Sequence, residues 1–173
     1  MKRRDFLLRT AVLGGAGIAA AGISFFTFAG HAPDALFDHS FPDIDGKQFA
    51  MRGFLGKPVV VNFWATWCPP CVREMPDIDA LRAKYPGIQF LGLGIDIASN
   101  VRIFLQKVHV SYPLLLAGNG GIALMRPLGN TAGGLPFTVV FDAQGQVVHK
   151  VLGQIKPDVL AQTLDGLAGS SSS

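Results

Sequence analysis

The sequence predicts an α/β fold, a central mixed sheet flanked by helices, with a short hairpin ahead of it and a helical insert near its middle. Three observations carry that expectation. The run Val59-Val60-Val61-Asn62-Phe63-Trp64 is nearly all apolar and rich in β-branched and aromatic residues, which is how a strand buried on both faces reads. It is followed by Val72, Met75, Ile78 and Leu81 at helical spacing and then by a second apolar run, Ile88 to Ile95, so the unit is a right-handed βαβ with parallel strands. Last, Phe137 to Phe141 and Gln146 to Leu152 flank Asp142-Ala143-Gln144-Gly145, a turn between two antiparallel strands.

Residues 1–32 read as an address rather than as part of the fold. Lys2-Arg3-Arg4-Asp5-Phe6-Leu7 has the twin-arginine pattern and precedes the uncharged, Ala/Gly-rich run Ala11 to Gly30. The expectation is bacterial export by the twin-arginine route, to the periplasm or the extracytoplasmic face of the membrane. That run also matches the roughly 20 residues needed to span a bilayer, and neither Thr27-Phe28-Ala29 nor Gly30-His31-Ala32 is a good cleavage site. A cleaved signal and a retained N-terminal membrane anchor are both compatible with it.

Residues 33–169 are expected to form one domain. Phe37 and Phe41 anchor its entry, and Asp45-Gly46 turns the chain between Phe41–Ile44 and Gln48–Met51 as an edge hairpin. Gly56-Lys57-Pro58 stops the chain before the central strand. Pro76 should kink the first helix, and Tyr85-Pro86-Gly87 should end it. Asn100 is a candidate cap for a helix with Val101, Phe104, Leu105 and Val108 on one face. Tyr112 to Leu116 returns as extended chain, and Ile122 to Leu128 as a short helix. Pro157 and Asp158 start a last amphipathic helix through Val159, Leu160, Leu164 and Leu167, with 170–173 as a disordered tail.

The formal charge of +3 comes entirely from the leader, because beyond Thr10 eleven basic residues face eleven acidic ones. Charge therefore argues for no nucleic-acid partner. The chain has 2 cysteines, both in Trp67-Cys68-Pro69-Pro70-Cys71, which excludes a disulfide framework and leaves no third thiol to resolve a bond. In an oxidising compartment such a pair is free to be the working part.

The placement of that pair has chemical consequences. A helix start leaves N–H groups unpaired and carries a partial positive charge that favours thiolate at Cys68. Cys71, three residues on, lies on the same helix face and within bonding reach. Pro69 and Pro70 suit a first turn, where an N–H would be unpaired anyway, and they stiffen the loop.

These residues resemble the thioredoxin superfamily, and within it the exported TlpA-like and ResA-like thiol-disulfide oxidoreductases. The resemblance covers roughly Phe41 to Leu167. It rests on Asp45-Gly46-Lys47, on the string from Gly56 to Cys71, on Glu74-Met75-Pro76, on the Leu135-Pro136 step before a strand, and on Phe141 to Gly145. The resemblance implies a thioredoxin-like fold in which Cys68 is the exposed nucleophile, Cys71 the buried resolving thiol and Trp67 a flanking residue. It implies a cis Pro136 facing the pair, with the backbone of Leu135 presented to an incoming peptide. Thioredoxin places a buried acid where Asn62 stands here; the TlpA-like and ResA-like proteins instead carry an acid three residues after the second cysteine. Glu74 holds that position, from which a buried carboxylate would tune the Cys71 thiol or relay its proton. The stretch Ile97 to Leu116 matches an insert that this family uses in choosing partners.

The reading that follows is an enzyme without a metal or organic cofactor, exchanging disulfides with protein thiols. The resemblance suggests the haem-binding thiols of apocytochromes c as substrates, in cytochrome c maturation, and a membrane electron donor of the CcdA/DsbD kind. A protein-disulfide oxidase and a reductant of copper-site thiols use the same motif. Outside enzymology, the alternatives are a metal-binding protein or an interaction module with a locked disulfide. His31, His39, His109 and His149 lie far from the motif, whereas a structural zinc site wants four ligands.

Overall fold

The computed structural model describes residues 32–170. The twin-arginine pattern and the apolar run after it lie outside the described residues, as do residues 171–173. Two short strands come first, β1 (Ser40–Pro42) and β2 (Gln48–Ala50), paired antiparallel through the Asp45-Gly46 turn. There follow β3 (Val59–Trp64), α1 (Pro69–Lys84), β4 (Gln89–Gly94), α2 (Ala98–Phe104), β5 (Leu114–Leu116) and α3 (Gly121–Met125). The chain ends in β6 (Phe137–Phe141), β7 (Val147–Leu152) and α4 (Pro157–Ser170).

Five strands form one sheet in the order β5-β4-β3-β6-β7. β3 is central, parallel to β4 and antiparallel to β6, so the sheet is mixed and thioredoxin-like. The β1–β2 hairpin is a separate small sheet, joined to the main one by a single bridge from Asp43 to the edge residue Leu115. No helix among the described residues is long and apolar enough to cross a membrane.

The period of two along β3 divides the core. Val59, Val61 and Phe63 point to one face, where they pack with Phe37, Met51, Leu91, Leu93, Leu115, Met125 and Phe141. Val60 and Trp64 point to the other, against Met75, Ile78 and Leu81 of α1 and Leu160 and Leu164 of α4. Asn62 shares that second face, so a polar side chain is carried into the interface between sheet and α1. Gly92 and Gly94 alternate along β4 on the same face and make room for the Trp64 indole. A Cβ on Gly92 would sit 3.0 Å from Trp64 Nε1 and 2.6 Å from Leu114 Cδ2.

Several expectations need correction. Helix α1 runs unbroken through Pro76, which lies on its exposed side, so only the Val72 carbonyl loses its partner one turn on. Asn100 does not cap α2: it lies inside the helix, and its amide donates to Asp96. In α4, Leu160 and Leu164 are buried but Val159 is 48% exposed, and the helix extends to Ser170, one residue into the expected tail. The insert at Ile97 to Leu116 carries α2 and then the extended piece expected there, which pairs as the edge strand β5.

The tight fit at Gly92 yields a stability prediction. Gly92→Ala should lower the free energy of unfolding by about 1–3 kcal/mol, the usual cost of overpacking a core. Urea unfolding followed by circular dichroism measures this; an unchanged midpoint would show that Leu114 and the indole can move aside.

Candidate active site

The pair sits at the carboxyl end of β3, where the strand hands over to α1. After Trp64 the chain turns, with Cys68 N–H donating to the Ala65 carbonyl at 3.2 Å, and Cys68 becomes the N-cap of α1. Pro69 and Pro70 occupy the first two helical positions, where their missing N–H groups leave no bond unmade. Cys68 and Cys71 are joined as a disulfide with Cα atoms 5.3 Å apart. Trp67 projects into solvent at 63% exposure. Cys68, expected as the exposed sulfur, is only 5% exposed, because the turn folds Trp67 outward and the cysteine inward; Cys71 is at 0%.

The Leu135–Pro136 peptide is cis. Since Phe63 pairs with Phe137, Pro136 stands beside the end of β3 at the edge of the sheet that carries the disulfide. Pro136 is buried, and its carbonyl accepts from Gly153 N–H at 2.8 Å. Leu135 is half-buried and packs against the cluster that contains both cysteines.

Beneath the disulfide, one turn further along α1, Glu74 is completely buried. Its Oε1 accepts from Asn62 Nδ2 at 2.7 Å and its Oε2 from Ile155 N–H at 2.8 Å. Asn62 Nδ2 also donates to Thr138 Oγ1 at 3.0 Å, which ties α1 to β3 and β6 at one point. Burial drives the Glu74 pKa up to about 6 from an ordinary 4.5; the Ile155 and Asn62 donors oppose that, and the Asp77 charge adds to it. Asn62 Oδ1 stays buried without a partner.

Two groups at the site had no place in the sequence reading. Asp96, just past the end of β4, accepts from Thr66 N–H and Oγ1, from Ile97 N–H and from Asn100 Nδ2. Its signal in the sequence is a lone acid closing an apolar run at the carboxyl end of a parallel strand. Tyr112, two residues before β5, buries a hydroxyl without a hydrogen-bond partner. Burial and the charges of Asp79 and Glu74 push that phenol well above its ordinary range. Among the described residues, no three of His, Cys, Asp and Glu stand together as metal ligands.

A family model described as Redoxin matches residues 29–165, most of the chain. The chain belongs to the Redoxin family. Among curated relatives, the thiol-disulfide oxidoreductase ResA of Bacillus thuringiensis subsp. konkukian is 31% identical over 127 residues, covering 70% of each protein. ResA of Halalkalibacterium halodurans is 25% identical over 173 residues, 95% of this chain and 96% of that one. The match to a Bacillus cereus ResA is shorter, 115 residues, and takes in 64% of that relative. A solved structure of MTB dsbF in mixed oxidised and reduced forms superposes with a TM-score of 0.68 at 29% identity, over 79% of this chain and 99% of that one. Like its named ResA relatives, this chain is a protein thiol-disulfide oxidoreductase, and it carries a disulfide-bonded CxxC pair, Cys68 and Cys71.

The buried carboxyl makes a pH prediction whose sign is fixed. An acid whose pKa rises on folding contributes stability that is complete below its unfolded pKa and lost as pH rises through the folded value. The oxidised protein should therefore lose about 2 kcal/mol between pH 4.5 and about 6 through Glu74. Glu74→Gln should remove that slope; equal slopes in the two proteins would place the titration elsewhere.

Proposed function

We propose that this oxidoreductase is an extracytoplasmic reductant of protein disulfides, with Cys68 attacking, Cys71 resolving and Glu74 handling the Cys71 proton. The observation that carries the reading is Glu74, buried on the same face of α1 as Cys71 and one turn beyond it, with a pKa near neutrality.

In the reduced protein, the Cys68 thiolate attacks one sulfur of a substrate disulfide, forming a mixed disulfide and expelling the other substrate sulfur as thiolate. Cys71 then gives its proton to Glu74 and attacks Cys68. The Cys68–Cys71 bond forms, the second substrate thiol leaves, and two electrons have passed to the substrate. Glu74 suits the proton step because burial lifts its pKa toward that of a thiol, which narrows the gap for transfer. It is kept from solvent yet held by two donors, so it can carry either charge state.

A reductant working outside the cytoplasm must be recharged. The twin-arginine pattern, the apolar run after it and the ResA relatives together support an electron donor in the membrane, of the CcdA/DsbD kind. The substrate that the family resemblance of the sequence suggests is the disulfide of oxidised apocytochrome c. Trp67 and the half-buried Leu135 offer an apolar surface and a backbone edge beside the sulfurs for such a peptide.

The roles are separable by trapping. Reduced Cys71→Ser should accumulate a mixed disulfide on Cys68 with its extracytoplasmic partner, and Cys68→Ser should trap nothing. Capture of oxidised apocytochrome c by the first variant supports the substrate; equal trapping by both variants would end the assignment of roles. Glu74→Gln should slow release of the reduced product by about 100-fold, the lower end for a general acid–base group, while leaving the attack by Cys68 unchanged. Single-turnover stopped-flow resolves the two steps.

A further inference from the structure

The Asp96 carboxylate is 5% exposed, and both of its oxygens are used twice. Oδ2 accepts from Thr66 N–H at 3.1 Å and from Thr66 Oγ1; Oδ1 accepts from Ile97 N–H and from Asn100 Nδ2, each at 2.8 Å. None of the four donors is a cation. Burial acts to raise the pKa, but the Thr66 hydroxyl, the Asn100 amide and the two backbone N–H groups outweigh it and hold the group below its ordinary value. This anion is held in place by directed bonds, and such bonds fix geometry.

What the bonds fix is the turn that delivers Cys68. β3 and β4 run parallel and end together, with Trp64 opposite Gly94 and Ile95 N–H donating to the Trp64 carbonyl at 2.7 Å. The next residues, Thr66 and Asp96, therefore leave the sheet side by side. Thr66 is the second residue of the turn that Cys68 N–H closes onto Ala65, and it precedes Trp67 directly. Two of the four bonds to Asp96 come from Thr66, one from backbone and one from side chain, so the turn is held at both. The nucleophile itself makes no bond to Asp96; its position at the tip of α1 is inherited from Thr66.

We propose that Asp96 is a positioning residue for thiol-disulfide exchange, acting through Thr66 to hold Cys68 at the N-terminal tip of α1, where the positive end of the helix dipole favours its thiolate. The proposal rests on the reading of Cys68 as the attacking sulfur. It goes beyond that reading in assigning a function to an acid that touches neither cysteine. Reactivity falls steeply with small displacements of a reacting group, and a hydrogen bond from a neutral hydroxyl to a buried carboxylate is among the stronger ways to prevent them.

The test uses the reduced protein and oxidised glutathione, a small disulfide that makes few contacts beyond the sulfurs, at about pH 7. Thr66→Val keeps shape and β-branching but loses the hydroxyl; Thr66→Ser keeps the hydroxyl. The second-order rate should fall about 5-fold in Thr66→Val and stay within about 2-fold of the parent in Thr66→Ser. Asp96→Ala offers Thr66 no side-chain acceptor, so in that background Thr66→Val should cost less than about 2-fold, a coupling that a general loss of stability would not produce. Equal rates for Thr66→Val and Thr66→Ser, or an undiminished Thr66→Val effect beside Asp96→Ala, would overturn the proposal. Mass mapping of the first adduct separates the two readings. An adduct on Cys71 removes the assigned roles and this inference with them, whereas an adduct on Cys68 with unchanged rates removes this inference alone.

Discussion

The bond from Asn62 to Glu74 is the constraint on which the arrangement of the site depends. A carboxylate cannot be carried to the interface between a sheet and a helix unless its oxygens are met there, because an unpaired buried charge costs several kcal/mol. Glu74 is met from β3 by Asn62 and from the segment after β7 by Ile155, so α1 has one register on the sheet in which its charge is satisfied. A helix slipped by a residue would bury the carboxylate against Val60 or Trp64. The same bond explains why position 62 is an amide: an acid there would face Glu74 at 2.7 Å, and two carboxylates so close cannot both ionise. The acid stands on the helix instead, one turn from Cys71 on the same face.

The second organising fact is that β3 and β4 are parallel. Parallel neighbours end at the same edge, so the loops that follow them are adjacent, and the antiparallel β6 begins at that edge after Pro136. Three segments far apart in sequence, Ala65 to Cys68, Ile95 to Ile97 and Leu135 to Pro136, meet there without any long loop reaching across the molecule. The insert is attached to this edge through Asp96, which bonds both to the turn before the cysteines and to the first turn of α2. The geometry of the sulfurs and the placement of the insert thus share one carboxylate.

Periodicity in the sequence made the main sheet legible, and the cysteine motif with its strand and helix placed the redox pair. Those features are local. Asn62 and Glu74 were legible as positions through the family resemblance, but their bond to each other, 12 residues apart, was not, nor was the Thr138 link, 76 residues from Asn62. Asp96 escaped because its partners are a hydroxyl, a side-chain amide and two backbone N–H groups, which leave no charge pattern to read. Asn100 failed as a cap for a related reason: a side chain that can cap a helix can equally donate to an acid one turn back, and the buried Asp96 was the stronger partner. Pro76, read from its chemistry as a kink, does not end the helix: a proline on the solvent side costs one hydrogen bond, and the buried side of α1 holds the helix together across it.

The position of the disulfide bears on whether it is a working bond or a staple. A staple stabilises by restricting the unfolded chain, and the effect grows with the loop it closes, from about 3 kcal/mol for 15 residues to about 4.7 for 100. Cys68 and Cys71 are three apart, at the end of a helix that already brings them together, so the bond removes little freedom and lies below that range. Meanwhile Glu74 occupies a buried site beneath them that a staple would not require, since a bonded Cys71 has no proton to exchange. An uncharged side chain there would avoid the cost of burying a carboxyl group. The proton role proposed for Glu74 would account for a carboxyl group kept there, in a cycle in which the bond opens and Cys71 gains and loses a proton.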